Sequence, residues 1–468
     1  MQQEKKRNTF AGSIGFVLAA AGSAVGLGNI WRFPYLAAKD GGGMFLVVYL
    51  VLALTFGFTL LASELAIGRK TRRSALHAYS ALDKRFGPLG FIASLVPLII
   101  LPYYCSIGGW VMKYCLLYLT GQGAQATAEG FFTGFITSPV EPIVFGLLFV
   151  LLVAFIIFRG VNKGIESSSK LIMPVLLILV LGIAVFSLTI SHTDADGVTR
   201  TGMQGLKILV VPDFKGLTLR GFFTVLMDAM GQLFYSISVA MGIMVTYGSY
   251  VQDKANLSKS INQIEIFDTV VAFLAAVMII PAVYTFMGRE GMDASGPSLM
   301  FVSLPKVFEA MGGVGHVIGA LFFLMVFFAA LTSAVSVMEA IVACLMDQFH
   351  LERSKATIIE TVLCLVMALF VCLGYNALYF DILLPNGSHA QLLDVMDYIS
   401  NNFLMPVVAI GTCILIGWVV KPRTVIDEIE RNGCGFGRKK LYVAMIKVVA
   451  PILLTVLLLK SVGILTVI

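Results

Sequence analysis

Eleven stretches of the chain are apolar enough and long enough to cross a bilayer, near residues 11–35, 41–68, 89–119, 141–158, 166–190, 222–250, 263–287, 314–346, 356–374, 396–420 and 441–465. A helix needs roughly 20 apolar residues to traverse the hydrocarbon core. Lipid offers no partner to backbone N–H and C=O groups, so each span must pair its own, as a helix does. With 58% hydrophobic and 13% charged residues and a mean hydropathy of +0.91, the composition excludes an ordinary soluble domain. The expectation is an all-α polytopic membrane protein of eleven helices. The first stretch runs straight into "GLGN" without an A-x-A type site, which argues against a cleaved signal peptide.

Two-thirds of the 33 Lys and Arg residues fall in the N-terminal segment and in the connections 69–85, 159–170, 251–262, 347–355 and 421–440. By the positive-inside rule these lie in the cytoplasm. The expected topology in the cell membrane therefore has the N-terminus inside and the C-terminus outside. The net charge of +6 reads as this bias spread over short loops, not as a nucleic-acid surface. Of the seven cysteines only Cys434 falls outside a helix, which argues against a disulfide framework. The scattered histidines form no metal or haem pattern, no organic cofactor is expected, and no Ser–His or paired-Asp constellation suggests an enzyme.

Two of the apolar stretches are interrupted. "AGSAVGLGNIWRFP" (21–34) and "GQLFYSISVAMG" (231–242) place glycines, hydroxyls, an asparagine and a proline where plain aliphatic residues would serve. Irregular backbone at membrane depth is tolerated only where it is buried in protein or lines a cavity. The two breaks stand first in successive blocks of five helices. Since five is odd, the second block must lie inverted with respect to the first, the arrangement in which paired broken helices mark a binding site near the midplane. Small residues for close helix packing are the plainer reading of one such motif. Two in corresponding positions, with polar neighbours, favour a site. This divides the chain into 1–190 (tail and first repeat), 191–421 (loop and second repeat) and 422–468 (loop and eleventh helix). A dinucleotide reading of "GLGN" fails because no strand precedes it.

These blocks, with "GGGMFLVVYL", "ELAIGR", "YYCSIGGW" (103–110), "TYGSY" (246–250), "FFAALTSAVSVME" (327–339) and "LLDVMDY" (392–398), resemble the neurotransmitter:sodium symporters, in particular the bacterial eleven-helix amino-acid transporters. The resemblance runs over nearly the whole chain. It implies sodium-coupled import of an amino acid by alternating access, with two sodium ions.

The resemblance places one sodium at the carbonyls of Gly22, Val25 and Ala329 and the hydroxyls of Thr332 and Ser333. A second would use the Ala24 carbonyl, the side chains of Asn29 and Ser236, and the carboxylate of the substrate. Neutral oxygens suit a small hard cation that must also be released. Thr332 and Ser333 also admit a plain reading, back-bonding to their own helix. The family's asparagine ligand at the first ion finds no match, since Ile264 falls there. Asp268 is the candidate for a carboxylate that replaces chloride, and Glu265, one turn earlier, is the alternative. An ionisable group at this depth is functional by default.

For the substrate, the amides of Gly26, Leu27 and Gly28 and the hydroxyl of Tyr104 would hold a carboxylate. Carbonyls of Tyr235 and Ser236, with the Ser238 region, would hold an ammonium group. Ala24 lies in the same stretch. Ile100, Tyr235, Ser238, Met241, Ser333 and Val337 would surround the side chain, which favours a neutral hydrophobic or aromatic L-amino acid. The flexible thioether of Met241 leaves room for larger shapes.

The implied outer gate comprises Arg32, Asp397 and Gln232 above an aromatic lid of Tyr104 and Tyr235. The inner gate comprises Arg7, Ser249, Tyr250 and Asp347. Glu64 would anchor the unwound segments. The sequence departs from the pattern at Phe10, where tryptophan is usual, and at Ala240, where glycine is frequent. A non-transporting sensor of the same fold, or a symporter for another small amine or amino-acid-like solute, are the alternatives. The oligomeric state is open.

Overall fold

The computed structural model describes residues 9–194, 196–212, 218–293 and 296–465. Among these, nine helices are long and apolar enough to cross a membrane, and a bent pair adds a tenth crossing when counted as one span. That pair is Ser13–Ala24 with Gly28–Lys39, inclined at 53°. The expected sixth span does not form one long helix. It is split into Leu219–Ser236 and Ile243–Tyr250, separated by residues 237–242. The breaks thus fall where glycine and hydroxylated residues interrupt the apolar pattern.

The helix Gly87–Leu119 runs through the interior, with Tyr103 and Trp110 buried, and packs against Gly313–Phe349 and Glu141–Phe158. The first broken helix lies against Gly313–Phe349, Leu257–Met287 and Ser167–Thr189. Ile243–Tyr250 packs along Phe58–Thr71 through a seam of glycines on both sides. A Cβ on Gly68 would stand 1.9 Å from the Val245 carbonyl oxygen, and one on Gly248 would stand 2.5 Å from that of Leu65. Only hydrogen in both places lets the two backbones meet.

Val144, Leu148, Leu151 and Phe155 stand exposed along Glu141–Phe158, as do Leu171 and Ile178 on Ser167–Thr189. Their helical spacing gives these helices one apolar outer face, suited to hydrocarbon. Wide π-type turns interrupt several helices, at Gly28–Arg32, Ala53–Gly57, Val161–Glu166 and Tyr398–Leu404 among others. Such turns are local bulges that often serve functional sites.

Contacts between connections define two ends of the molecule. At the N-terminal face, Phe10 meets Tyr250, Ser74 meets Asp347, and Asn432 meets Asp253. At the far face, Gly42 bridges to Pro212, and the Tyr398 hydroxyl donates to the Ser461 carbonyl. Two short antiparallel hairpins, Ser191–Thr193 with Thr199–Thr201 and Ile382–Leu383 with His389–Ala390, complete the chain's strands among the described residues.

Candidate functional site: two helix breaks facing one another

At the first break, Ser13–Ala24 ends and Val25 leaves the helical region with ψ at 88°. This turns carbonyls of the last helical turn away from their usual partners. The Ser333 hydroxyl, on Gly313–Phe349, lies 3.3 Å from the Gly22 carbonyl, 3.1 Å from that of Ser23 and 3.4 Å from that of Val25. Gly22 rests against Thr332. The Thr332 hydroxyl donates back to the carbonyls of Phe328 at 3.0 Å and Ala329 at 3.2 Å. The back-bonding and the clustering therefore coexist. Gly22, Val25, Ala329, Thr332 and Ser333 bring neutral oxygens into one buried place.

The second cluster joins both breaks. Asn29 donates through Nδ2 to Asp268 Oδ1 at 2.8 Å, and the Ser236 hydroxyl lies 2.9 Å from Asn29 Oδ1 and 2.7 Å from Asp268 Oδ1. Tyr49 donates to Asp268 Oδ2 at 3.4 Å, a partner not foreseen in the sequence. Asn29 and Asp268 are fully buried. Glu265 points elsewhere. It takes Arg438 in a bidentate pair at 2.9 and 2.5 Å, and Arg438 in turn stacks on Phe58 with its guanidinium carbon 3.4 Å from the ring centre and donates to the Leu54 carbonyl. Of the two carboxylates, only Asp268 reaches Asn29 and Ser236.

Between the clusters, the Leu27 amide faces the Tyr104 hydroxyl at 3.5 Å. Tyr235 covers Gly28 so closely that a Cβ there would lie 2.3 Å from its ring. The second break is held open by backbone that l-residues seldom adopt, with Ser238 at φ 53°, Ala240 at φ 62° and Gly242 at φ 72°. The expected glycine position at Ala240 is thus occupied by a residue under strain. Three contacts hold it. Glu64 Oε1 accepts from the Ala240 amide at 2.6 Å, Ser238 donates to the Ser23 carbonyl at 3.0 Å, and Ser23 Oγ lies 3.0 Å from Ser238 Oγ. Gln232 donates to the Gly28 carbonyl at 3.0 Å, tying break to break. Ile100, Met241 and Val337 are buried in the same region; Ala24 is the last residue before the first break.

Paired breaks lined with oxygens, buried and shared between helices, can hold small cations and a zwitterion. Residues 7–130 and 138–467 match the sodium:neurotransmitter symporter family. The chain belongs to that family. It is similar to an uncharacterised sodium-dependent transporter of Bacillus subtilis, 33% identical over 99% of each chain. It is also similar to one of Methanocaldococcus jannaschii, 31% identical over 96% of this chain and 89% of the relative. The rat sodium- and chloride-dependent GABA transporter 2 is 25% identical over 91% of this chain and 75% of its own length. The crystal structure of MhsT in complex with L-phenylalanine superposes with a TM-score of 0.84 at 33% identity, covering 97% of this chain and all of that one. The protein is a sodium-dependent transporter of the membrane, not an enzyme.

The symporter's far face opens into a cavity of about 460 Å³, lined among others by Arg32, Asp228, Tyr235, Asn401, Asn402 and Lys460. Asp397, expected opposite Arg32, lies within reach of the Arg32 charge and accepts from the Tyr103 hydroxyl at 3.0 Å and from Asn401 at 2.5 Å. Tyr103 and Asn401 were not among the expected gate residues.

At the N-terminal face of the symporter, Arg7 lies outside the described residues. Asp347 accepts from the Ser74 amide at 2.6 Å. The Ser249 carbonyl accepts from Arg72, which also reaches the Val251 carbonyl and pairs with Asp253 at 2.6 Å. The Arg72 guanidinium beside it holds the Asp253 carboxyl below the usual carboxylate range. Tyr250 donates to Glu339 at 2.7 Å, and Glu339 is paired twice with Arg353, each at 2.7 Å. Glu339 closes the quoted "SVME" motif, and a lone carboxylate in an apolar run was the signal that could have found it. Phe10, in place of tryptophan, is buried and sets its ring edge-on to Tyr247 and Tyr250.

Proposed function

We propose that this chain is a sodium-coupled symporter that imports a neutral hydrophobic or aromatic L-amino acid by alternating access. The observation that carries this reading is the pair of buried oxygen clusters along the breaks, one where Ser333 meets the carbonyls of the first break and one where Asn29 and Ser236 from the two breaks meet Asp268. Neutral oxygens at Gly22, Val25, Ala329, Thr332 and Ser333 would hold one sodium. Ala24, Asn29 and Ser236 would hold a second, together with the substrate's carboxylate. An ion whose shell the substrate completes binds more tightly with it, and the substrate gains equally, so the two travel together.

The amides of Gly26, Leu27 and Gly28 would receive the carboxylate beside Tyr104. The carbonyls of Tyr235 and Ser236 would receive the ammonium group. The buried, uncharged Ile100, Met241 and Val337, with Ser238 and Ser333, favour an apolar side chain, and MhsT, whose structure this chain resembles, holds L-phenylalanine. Asp268 would supply the negative charge that chloride supplies elsewhere, and transport would be chloride-independent.

In this reading the N-terminal face is cytoplasmic and the far face external, as the basic loops imply. The broken segment 219–250 counts as one crossing, which gives eleven, and residues 1–190 and 191–421 contain inverted repeats. Arg32, Gln232, Tyr104 and Tyr235, with Asp397, would close the outer path. Arg7, Ser249, Tyr250 and Asp347 would close the inner one, and Glu64 would support both breaks.

Uptake of labelled neutral amino acids into liposomes under an inward sodium gradient, with and without chloride, tests the proposal. Accumulation that needs sodium and persists without chloride is the expected result. Sodium-dependent binding without accumulation would make the protein a sensor, and indifference to every amino acid would refute the carboxylate-centred pocket.

A further inference from the structure

We propose that Glu166 is a positioning residue for the first oxygen cluster: from about three helical turns away it fixes the helix Ser13–Ala24 in the register at which the Gly22 and Val25 carbonyls meet Ser333. The proposal rests on the reading of that cluster as a sodium site.

Glu166 closes the wide turn Val161–Glu166 and is 1% exposed. Its Oε2 accepts from the Ala11 amide at 2.7 Å. The helix that follows has Gly12 at its N-cap, with no side-chain hydrogen bond of its own there. A helix start leaves amides unpaired and carries a partial positive charge, so a carboxylate arriving from a neighbouring helix answers both. Lys170, one turn along, pairs with Glu166 Oε1 at 2.7 Å.

The contact is steric as well as polar. A Cβ on Gly15 would collide with the Glu166 carboxyl group, so only glycine lets the carboxylate lie against the helix. Seven residues further on, a Cβ on Gly22 would stand 3.0 Å from Met173 Sδ and 3.3 Å from Thr332 Cβ. Glu166 and Met173 are also seven residues apart. Equal two-turn steps on both helices mean that they run alongside in matched register, glycine against side chain, from the N-terminal face to the break. A slip at Gly15 is therefore a slip at Gly22.

The carbonyls at the same end are held by other groups. Gln252 Nε2 donates to the Phe10 carbonyl at 2.7 Å and to that of Ala11 at 3.2 Å, and the Phe10 amide donates to the Tyr250 carbonyl at 3.1 Å. Loss of Glu166 thus frees the helix start from the Ser167–Thr189 side and leaves it tethered to 250–252. The helix is expected to shift without unfolding. Since Ser333 stands 3.1 to 3.4 Å from three carbonyls of the break, a shift of a fraction of an ångström alters the cluster.

The test is equilibrium binding of radioactive sodium to the purified full-length chain, with no amino acid present. Glu166→Ala is expected to bind sodium about tenfold more weakly than the parent, the scale of one lost charge-assisted hydrogen bond. Glu166→Gln keeps the length and an acceptor oxygen, and is expected to restore most of the affinity. Gly15→Ala, whose methyl takes the place of the carboxylate, should weaken binding as Glu166→Ala does. Melting curves in potassium accompany each titration. A lower melting temperature with an unmoved sodium titration would make Glu166 an ordinary helix cap and overturn the proposal, and so would a Glu166→Gln variant as weak as Glu166→Ala. A parent that binds no sodium refutes the symport reading and this role with it. A parent that binds, beside variants that bind equally well, refutes the role alone.

Discussion

Asn29 donates to Asp268 Oδ1 at 2.8 Å, and this single bond fastens the break of the first helix to a buried carboxylate on Leu257–Met287. Asp268→Asn removes the charge and keeps the shape. Sodium-driven uptake by the variant is expected to fall at least about tenfold in chloride-free medium, the effect of roughly 1.4 kcal/mol lost at the site, and to recover when chloride is supplied. Equal loss in both media would mean that Asp268 serves the helix break and not the ion.

Ser333 reaches three carbonyls of the first break. Ser333→Ala is expected to raise the sodium concentration for half-maximal uptake by about tenfold, with the protein's melting temperature changed by only a few degrees, since one hydroxyl contributes roughly 1 kcal/mol. Sodium titration of uptake beside a melting curve separates the two effects.

Glu339 is fully buried and its partner is Arg353. Arg353→Met leaves a buried charge without compensation and is expected to destabilise by about 3–5 kcal/mol. Adding Glu339→Gln removes the orphan charge and should restore most of the melting temperature. A double variant as unstable as the single one would show that packing, not charge, is at stake.

At the N-terminal face, the hydrogen bond from Arg72 lowers the pKa of Asp253, so the folded carboxyl ionises at lower pH than it would in an unfolded chain. A depressed carboxylate contributes stability above its unfolded value near 4 and loses it as pH falls through the folded one. Hydrogen exchange in 251–256 is therefore expected to be steady from pH 7 to about 5 and to lose protection below roughly 4. Asp253→Asn should lose that protection at every pH.

The breaks and their oxygens were legible because membrane helices leave little room for Gly, Ser and Asn, so each departure from apolar residues stands out. Charge partners were not. Nothing in the order of residues joins Glu339 to Arg353, Asp397 to Tyr103, or Glu265 to Arg438, because each pairing depends on how separate helices turn. Glu265 and Asp268 could not be told apart in the sequence for the same reason. Three residues apart on a helix, they project towards neighbouring but different sides. One side holds Asn29 and Ser236, the other Arg438. The interrupted sixth stretch was legible as a break, but not the strained φ at Ser238 and Ala240, which depends on Glu64 and Ser23 arriving from elsewhere.

Gly68 and Gly248 bring the backbones of Phe58–Thr71 and Ile243–Tyr250 into direct contact. Gly68→Ala, whose methyl would meet a carbonyl oxygen, is expected to cost about 1–3 kcal/mol, read as a lower melting temperature. The seam also acts mechanically. With no side chain between the backbones at these two contacts to flex or change rotamer, the two segments are expected to tilt together as a single thicker strut. Glu64 stands on that strut with its carboxylate on the second break, so the site and the N-terminal face of the molecule are geared to each other by the absence of two methyl groups.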